Sequence, residues 1–93
     1  MSIEGVEVGK TCRVYSRLTA LNAVVKCPSP TGTTVMFQPE TQSIRWTMDG
    51  SDPTASRGFL VTAGTVVCYT GDLSKVRFIE VGASATLNVA VFE

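Results

Sequence analysis

Asp49-Gly50-Ser51-Asp52-Pro53 places two carboxylates three positions apart around a glycine, an alternation that can present oxygen ligands to calcium. An EF-hand loop needs further oxygen donors and a closing bidentate Glu, and nothing after Asp52 supplies them. The residues read instead as a structural turn. Asp49-Gly50 is a tight-turn dipeptide, Pro53 presets φ for a second turn, and Asp side chains cap nearby backbone N–H groups. Asp49, Gly50, Asp52 and Pro53 are therefore expected to shape the chain and to bind no metal.

The other reactive residues do not assemble into a catalytic pattern. Histidine, the commonest general base, is absent. The acids Glu4, Glu7, Glu40, Asp49, Asp52, Asp72, Glu80 and Glu93 are scattered, mostly at turns and ends. No nucleophile elbow, dinucleotide fingerprint or P-loop is present. Three cysteines, Cys12, Cys27 and Cys68, are an odd number at wide spacing, so they neither frame a disulfide scaffold nor offer a four-ligand zinc site. They read as small buried hydrophobes, with a Cys12–Cys27 bridge as the alternative. Trp46 shares a strand face with Ile44 and Met48, which makes it a core anchor rather than a sugar-stacking platform. The expectation is a protein without catalytic residues and without a cofactor.

Length and composition fit a binding role. A chain of 93 residues has room for one domain and one core. Apolar residues make up 44% of it, which excludes disorder through low hydrophobicity. Charged residues are only 17%, below the roughly one quarter usual in globular domains. Eight basic and eight acidic residues cancel. Without a basic excess or cluster, nucleic acid is not an expected partner. No stretch approaches the roughly 20 apolar residues of a membrane helix, and Met1 to Lys10 lacks the apolar core of a secretory signal. The chain is expected to be made in a cytoplasm with no evident export address, and to have no membrane partner.

The elements that must position these residues are strands. Residues 1–10 read as a flexible arm, and residues 11–93 as a single domain. From Thr11 to Cys27 the apolar spacing is compatible with a helix. Thr19, Asn22 and the β-branched pair Val24-Val25 favour two short strands joined near residues 19–22. Pro28 to Gly32 is a loop. TTVMFQ reads as a strand stopped by Pro39, and QSIRWT alternates with Ile44, Trp46 and Met48 on one side. After the turn at residues 49–58, GFLVT, AGTVVCYTG, KVRFIEVG and ATLNVAVF are four more strands punctuated by glycines. VVCY, apolar on both faces, is expected at the centre of a sandwich. Seven to eight short antiparallel strands make an all-β fold, a small sandwich or barrel of jelly-roll or immunoglobulin-like type.

Two resemblances refine the reading. Residues 44–54, IRWTMDGSDPT, resemble the turn signature of chitobiase-type C-terminal β-sandwich modules found on carbohydrate-active enzymes. Residues 43–92 resemble a group of small tailed-bacteriophage virion proteins through IRWTMDGSDPTASRG, FLVTAG, TVVCYTGDLSKVRFIEV and ASATLNVAVF. Trp46 stands where that pattern usually has Tyr, and Val76 precedes Arg77 where an aromatic is common. This second resemblance implies a decoration, cement or other accessory component of a virion, assembled in the host cytoplasm. Its implied partners are other copies of the chain and a capsid or tail protein. A carbohydrate-binding or spacer module is the alternative, and a chain running from Met1 to a final strand is expected to be a complete product rather than such a piece. Because LNVAVF is too apolar for an uncovered edge, Val91 and Phe92 are the expected contact residues.

Overall fold

The computed structural model describes residues 11–93; the expected arm over residues 1–10 lies outside the described residues. Eight strands follow one another: β1 (Cys12–Leu18), β2 (Val25–Lys26), β3 (Thr34–Glu40), β4 (Ile44–Thr47), β5 (Phe59–Val61), β6 (Val67–Thr70), β7 (Arg77–Glu80) and β8 (Thr86–Phe92). A 3-10 turn at Leu73–Lys75 is the only helical element among the described residues. Where a helix competed, the chain instead makes β1, a turn and β2, as the β-branched pair before Lys26 dictates.

The strands form two antiparallel sheets, ordered β1-β8-β3-β6 and β2-β7-β4-β5. Strand one pairs with eight, two with seven, three with six and four with five. The chain is thus one long hairpin folded over on itself, with successive pairs falling in opposite sheets. That winding is the jelly roll, so the immunoglobulin-like and closed-barrel variants of the expectation do not apply.

Two strand assignments change. β3 does not stop before Pro39 but continues to Glu40. The Pro39 carbonyl accepts from Gly64 N at 2.8 Å. In a strand the N and O of one residue point the same way, so the missing donor faces the 62–66 arch, beyond the last β3–β6 pair at Phe37 and Val67. No ladder bond is lost, which is why proline is tolerated there. The VVCY segment, expected at the centre of the sandwich, supplies β6 at a sheet edge. Val66 is exposed and the next three residues are half-buried, with Val67 and Tyr69 packed inward and Cys68 alternating to the outer face.

The core is the sum of the inward positions of both sheets. Val35, Phe37, Leu87, Val89 and Val91 face Ile44, Trp46, Val61 and Phe78, while Leu21, Leu73 and Val76 from connecting segments complete it. Phe37 meets Trp46 and Phe78 edge-on, at centroid distances of 4.9 and 5.0 Å, bridging the sheets. Such ring pairs contribute about 0.5–1.5 kcal/mol each beyond their burial.

The loop before β3 passes close under β8. Thr33 N donates to Phe92 O at 2.9 Å. A Cβ at Gly32 would overlap Val91 Cγ1 and stand 2.9 Å from Phe92 O. Backbone and a fully buried valine have little room to yield, so Gly32→Ala is expected to destabilise the domain by about 1–3 kcal/mol. Urea unfolding monitored by Trp46 fluorescence measures this, and an unchanged midpoint would contradict the tight approach.

Candidate functional site

The Asp49–Pro53 segment folds as a self-satisfied turn. Asp49 Oδ1 accepts from the Ser51 N–H at 3.0 Å and from the Ser51 hydroxyl at 2.5 Å. Gly50 has φ +87°, a region that favours glycine, and its N–H donates to Lys75 O at 2.9 Å. Thr47 Oγ1 donates to Ser51 O at 2.6 Å. The Lys75 end of this contact is built the same way, since Asp72 Oδ1 accepts from Ser74 N and Ser74 Oγ at 3.1 and 2.6 Å. Arg45 reaches over the second half of the loop and donates to Ala55 O and Gly58 O at 3.1 and 2.9 Å. Asp52 is exposed, while Pro53 is buried. No cluster of three metal-ligating side chains exists among the described residues.

The hydrogen bonds from Ser51 hold the Asp49 carboxyl below its ordinary value of 3.8, and those from Ser74 do the same for Asp72. Burial pushes the Cys27 thiol up, against a smaller opposing effect of the Ser29 backbone. The cysteines are all thiols, so the Cys12–Cys27 bridge is not formed. Only Cys27 is buried; Cys12 is exposed and Cys68 half-buried, a correction to the expectation of three core residues.

Val91 and Phe92 do not form an open edge. β8 lies between β1 and β3, with Val91 opposite Val14 and Val35, and Phe92 opposite Cys12 and Thr34. Val91 is fully buried and Phe92 is 8% exposed. Their apolar run is explained by their burial within the domain between two sheet neighbours.

Two other surfaces carry exposed apolar groups. The first is the outer face of the β1-β8-β3-β6 sheet. An open depression of about 130 Å³ lies there, lined by Tyr15, Met36, Gln38, Val66, Asn88 and Ala90. Tyr15, 61% exposed, donates its hydroxyl to Asn88 Oδ1 at 2.6 Å, and Asn88 Nδ2 donates to Glu40 Oε1 at 2.9 Å. Arg17 stands 3.8 Å from Glu40, a solvated pair of little energetic weight.

The second is the side of the sandwich formed by β5, the 62–66 arch and β6. Phe59 and Leu60 of β5 are 62% and 52% exposed, and Val66 at the arch, which also borders the depression on the outer sheet face, is 52% exposed. The arch is held in place by Gly64 N on Pro39 O at 2.8 Å and by Gln38 Nε2 on Gly64 O at 3.1 Å. Beneath it, Trp46 meets Tyr69 edge-on at 5.5 Å and Phe59 at 6.3 Å. Trp46 is only 7% exposed, and its neighbours Phe37, Tyr69 and Phe59 crowd the ring, so it offers no open face for a sugar. Sequence reasoning passed over Tyr15, Phe59, Leu60 and Val66; the readable signal for three of them is the absence of any charged residue from Gly58 to Gly71.

No family model matches the chain, and neither a curated protein nor a solved structure matches it.

Two expectations follow. Val91→Lys would bury an ammonium in the core and is expected to prevent folding, read as loss of the cooperative thermal transition; a folded variant would contradict the placement of β8. Asp49 and Asp72 have depressed folded pKa values, so their stabilisation is present above the ordinary value near 3.8 and is lost as pH falls through the lower folded values. Asp49→Asn keeps an acceptor for Ser51 but not the charge. Melting temperature against pH should therefore fall less steeply below about pH 4 in this variant, and parallel curves would show that the turn makes no such contribution.

Proposed function

We propose that this protein is a non-enzymatic structural component of a tailed-bacteriophage virion, a decoration, cement or other accessory subunit that acts through protein–protein contacts. The observation that carries this reading is the exposure of large apolar side chains on two ordered surfaces of an otherwise well-satisfied sandwich. Among the described residues no buried side-chain N or O lacks a hydrogen-bond partner, so this exposure is no sign of a loosely packed fold. Exposed apolar side chains on a tightly built domain are what contact with another macromolecule uses.

The virion assignment itself rests on the sequence resemblance over residues 43–92, which covers β4 to β8 and includes the exposed Phe59, Leu60 and Val66. A jelly roll is compatible with it, since capsid and lectin domains both use that winding, but fold alone carries no function. The carbohydrate-module reading needs an open aromatic platform, and Trp46, the ring it would rely on, is occupied by its neighbours.

The test is to purify particles from the replicon that encodes the chain, then analyse them by mass spectrometry and image reconstruction. The expected result is the chain present in a fixed ratio to the major structural proteins, with density for the sandwich on the particle surface. Particles that lack it, together with measurable binding of an oligosaccharide by the isolated protein, would overturn the proposal in favour of the carbohydrate module.

A further inference from the structure

We infer that the side of the sandwich made by β5, the 62–66 arch and β6 is a self-association face, covered in solution by a second copy of this chain across a two-fold axis. The inference deepens the structural reading above and rests on it for its biological setting only. Its physical basis is where uncharged sequence falls in the fold. Three long runs lack Asp, Glu, Lys and Arg: residues 27–39, 58–71 and 81–92. The first leads into and fills most of β3, and the third contains β8. Both strands lie inside their sheet with hydrogen-bonded neighbours on each side, so their lack of charge needs no further cause. The run at 58–71, the longest of the three, contains β5 and β6, which are the edge strands of the two sheets. This edge has the composition of an interior.

Free edges are ordinarily guarded by charge, proline or a bulge. The opposite side of the molecule follows that rule. β1 carries Arg13 and Arg17 and a register shift between Cys12 and Val14, and β2 carries Lys26. β5, the arch and β6 themselves have neither charge nor proline from Gly58 to Gly71 and expose Phe59, Leu60 and Val66, while the guanidinium of Arg45, opposite Leu60 on β4, is bonded to the Ala55 and Gly58 carbonyls. The two halves of one molecule thus treat equivalent edges in opposite ways.

The missing charges also select the occupant. In an isologous contact the same patch meets itself, so any charge near the axis faces its own kind. Like charges directly opposed across paired strands are destabilising. A charge-free strip is the one composition that satisfies this requirement without a matching set of opposite charges. A different partner protein would impose no such constraint and would ordinarily be steered by charge. The hydrogen bonds that pin Gly64 to Pro39 and Gln38 keep the arch fixed before contact, which lowers the ordering cost of association.

The experiment is analytical ultracentrifugation of the full chain over a wide concentration range, compared with Leu60→Lys, Phe59→Lys and Tyr15→Lys. The first two place an ammonium on the proposed face at positions about half exposed, so folding should persist, and circular dichroism melts at low concentration check this. Tyr15→Lys changes the outer sheet face instead. The expected result is a reversible dimer for the wild type, weakened at least about tenfold by either edge variant and unaltered by Tyr15→Lys. A wild type that stays monomeric at all concentrations overturns the inference, as does a dimer indifferent to both edge variants or broken by Tyr15→Lys alone. A monomeric protein that is nonetheless found in particles would remove this face and leave the structural reading standing. An edge-sensitive dimer absent from particles would do the reverse.

Discussion

The fold depends on β8 entering its sheet between β1 and β3. Seven residues, Thr86 to Phe92, satisfy the inner hydrogen-bonding edges of two strands that begin at Cys12 and Thr34, and among the described residues no other strand joins them. Until β8 arrives, β1 has no sheet at all, and β3 is paired only with the short β6. This is a contact across nearly the whole described chain, since Cys12 lies opposite Phe92. Closing so large a loop costs entropy before it gains contacts, although the cost grows only with the logarithm of loop length. Jelly-roll winding therefore implies slow folding for a domain this small, and the return comes from burying Leu87, Val89 and Val91 completely.

The second sheet depends on the first through aromatic rings. Phe37 projects from β3 between Trp46 of β4 and Phe78 of β7, and Tyr69 of β6 meets Trp46 from the edge. The four rings form one connected series across the sandwich, from the fully buried Phe78 to the half-exposed Tyr69. Phe59 extends it to solvent. A core that reaches the surface in this way has no sealed boundary on its β5 and β6 side, whereas Leu21 seals the connection between β1 and β2.

Much of the fold was legible in the sequence because local chemistry and tertiary structure agree. Alternation of Ile44 and Trp46 with Arg45 and Thr47 gave the inward face of β4, and Asp49-Gly50 gave a turn whose Asp49–Ser51 bonds are local. The errors share one origin. An apolar run says that a strand is covered on both sides but not by what. VVCY and LNVAVF look alike on that criterion, yet one supplies an edge and the other lies between β1 and β3. Order within a sheet is set by long-range pairing, which leaves no local trace. Pro39 misled for a related reason, because its cost depends on which side of β3 still has a partner. The surface residues were hardest to read. Tyr15 alternates like any strand residue, and Phe59 and Leu60 look like core until the sheet edge is known.

Edge position gives the apolar runs their meaning. A two-sheet sandwich cannot avoid four edge strands, and this one guards two of them with Arg13, Arg17 and Lys26. Adding charge to the remaining edges would be easy, since Leu60 and Val66 point largely to solvent and their replacement would disturb little packing. Stability of the monomer therefore does not explain their apolar character. Solubility opposes it, because a molecule with zero net charge has no long-range repulsion to keep apolar edges apart. The same lack of repulsion removes an electrostatic barrier between two identical copies. An apolar strip that adds little to folding and lowers solubility is accounted for when burial occurs between molecules rather than within one.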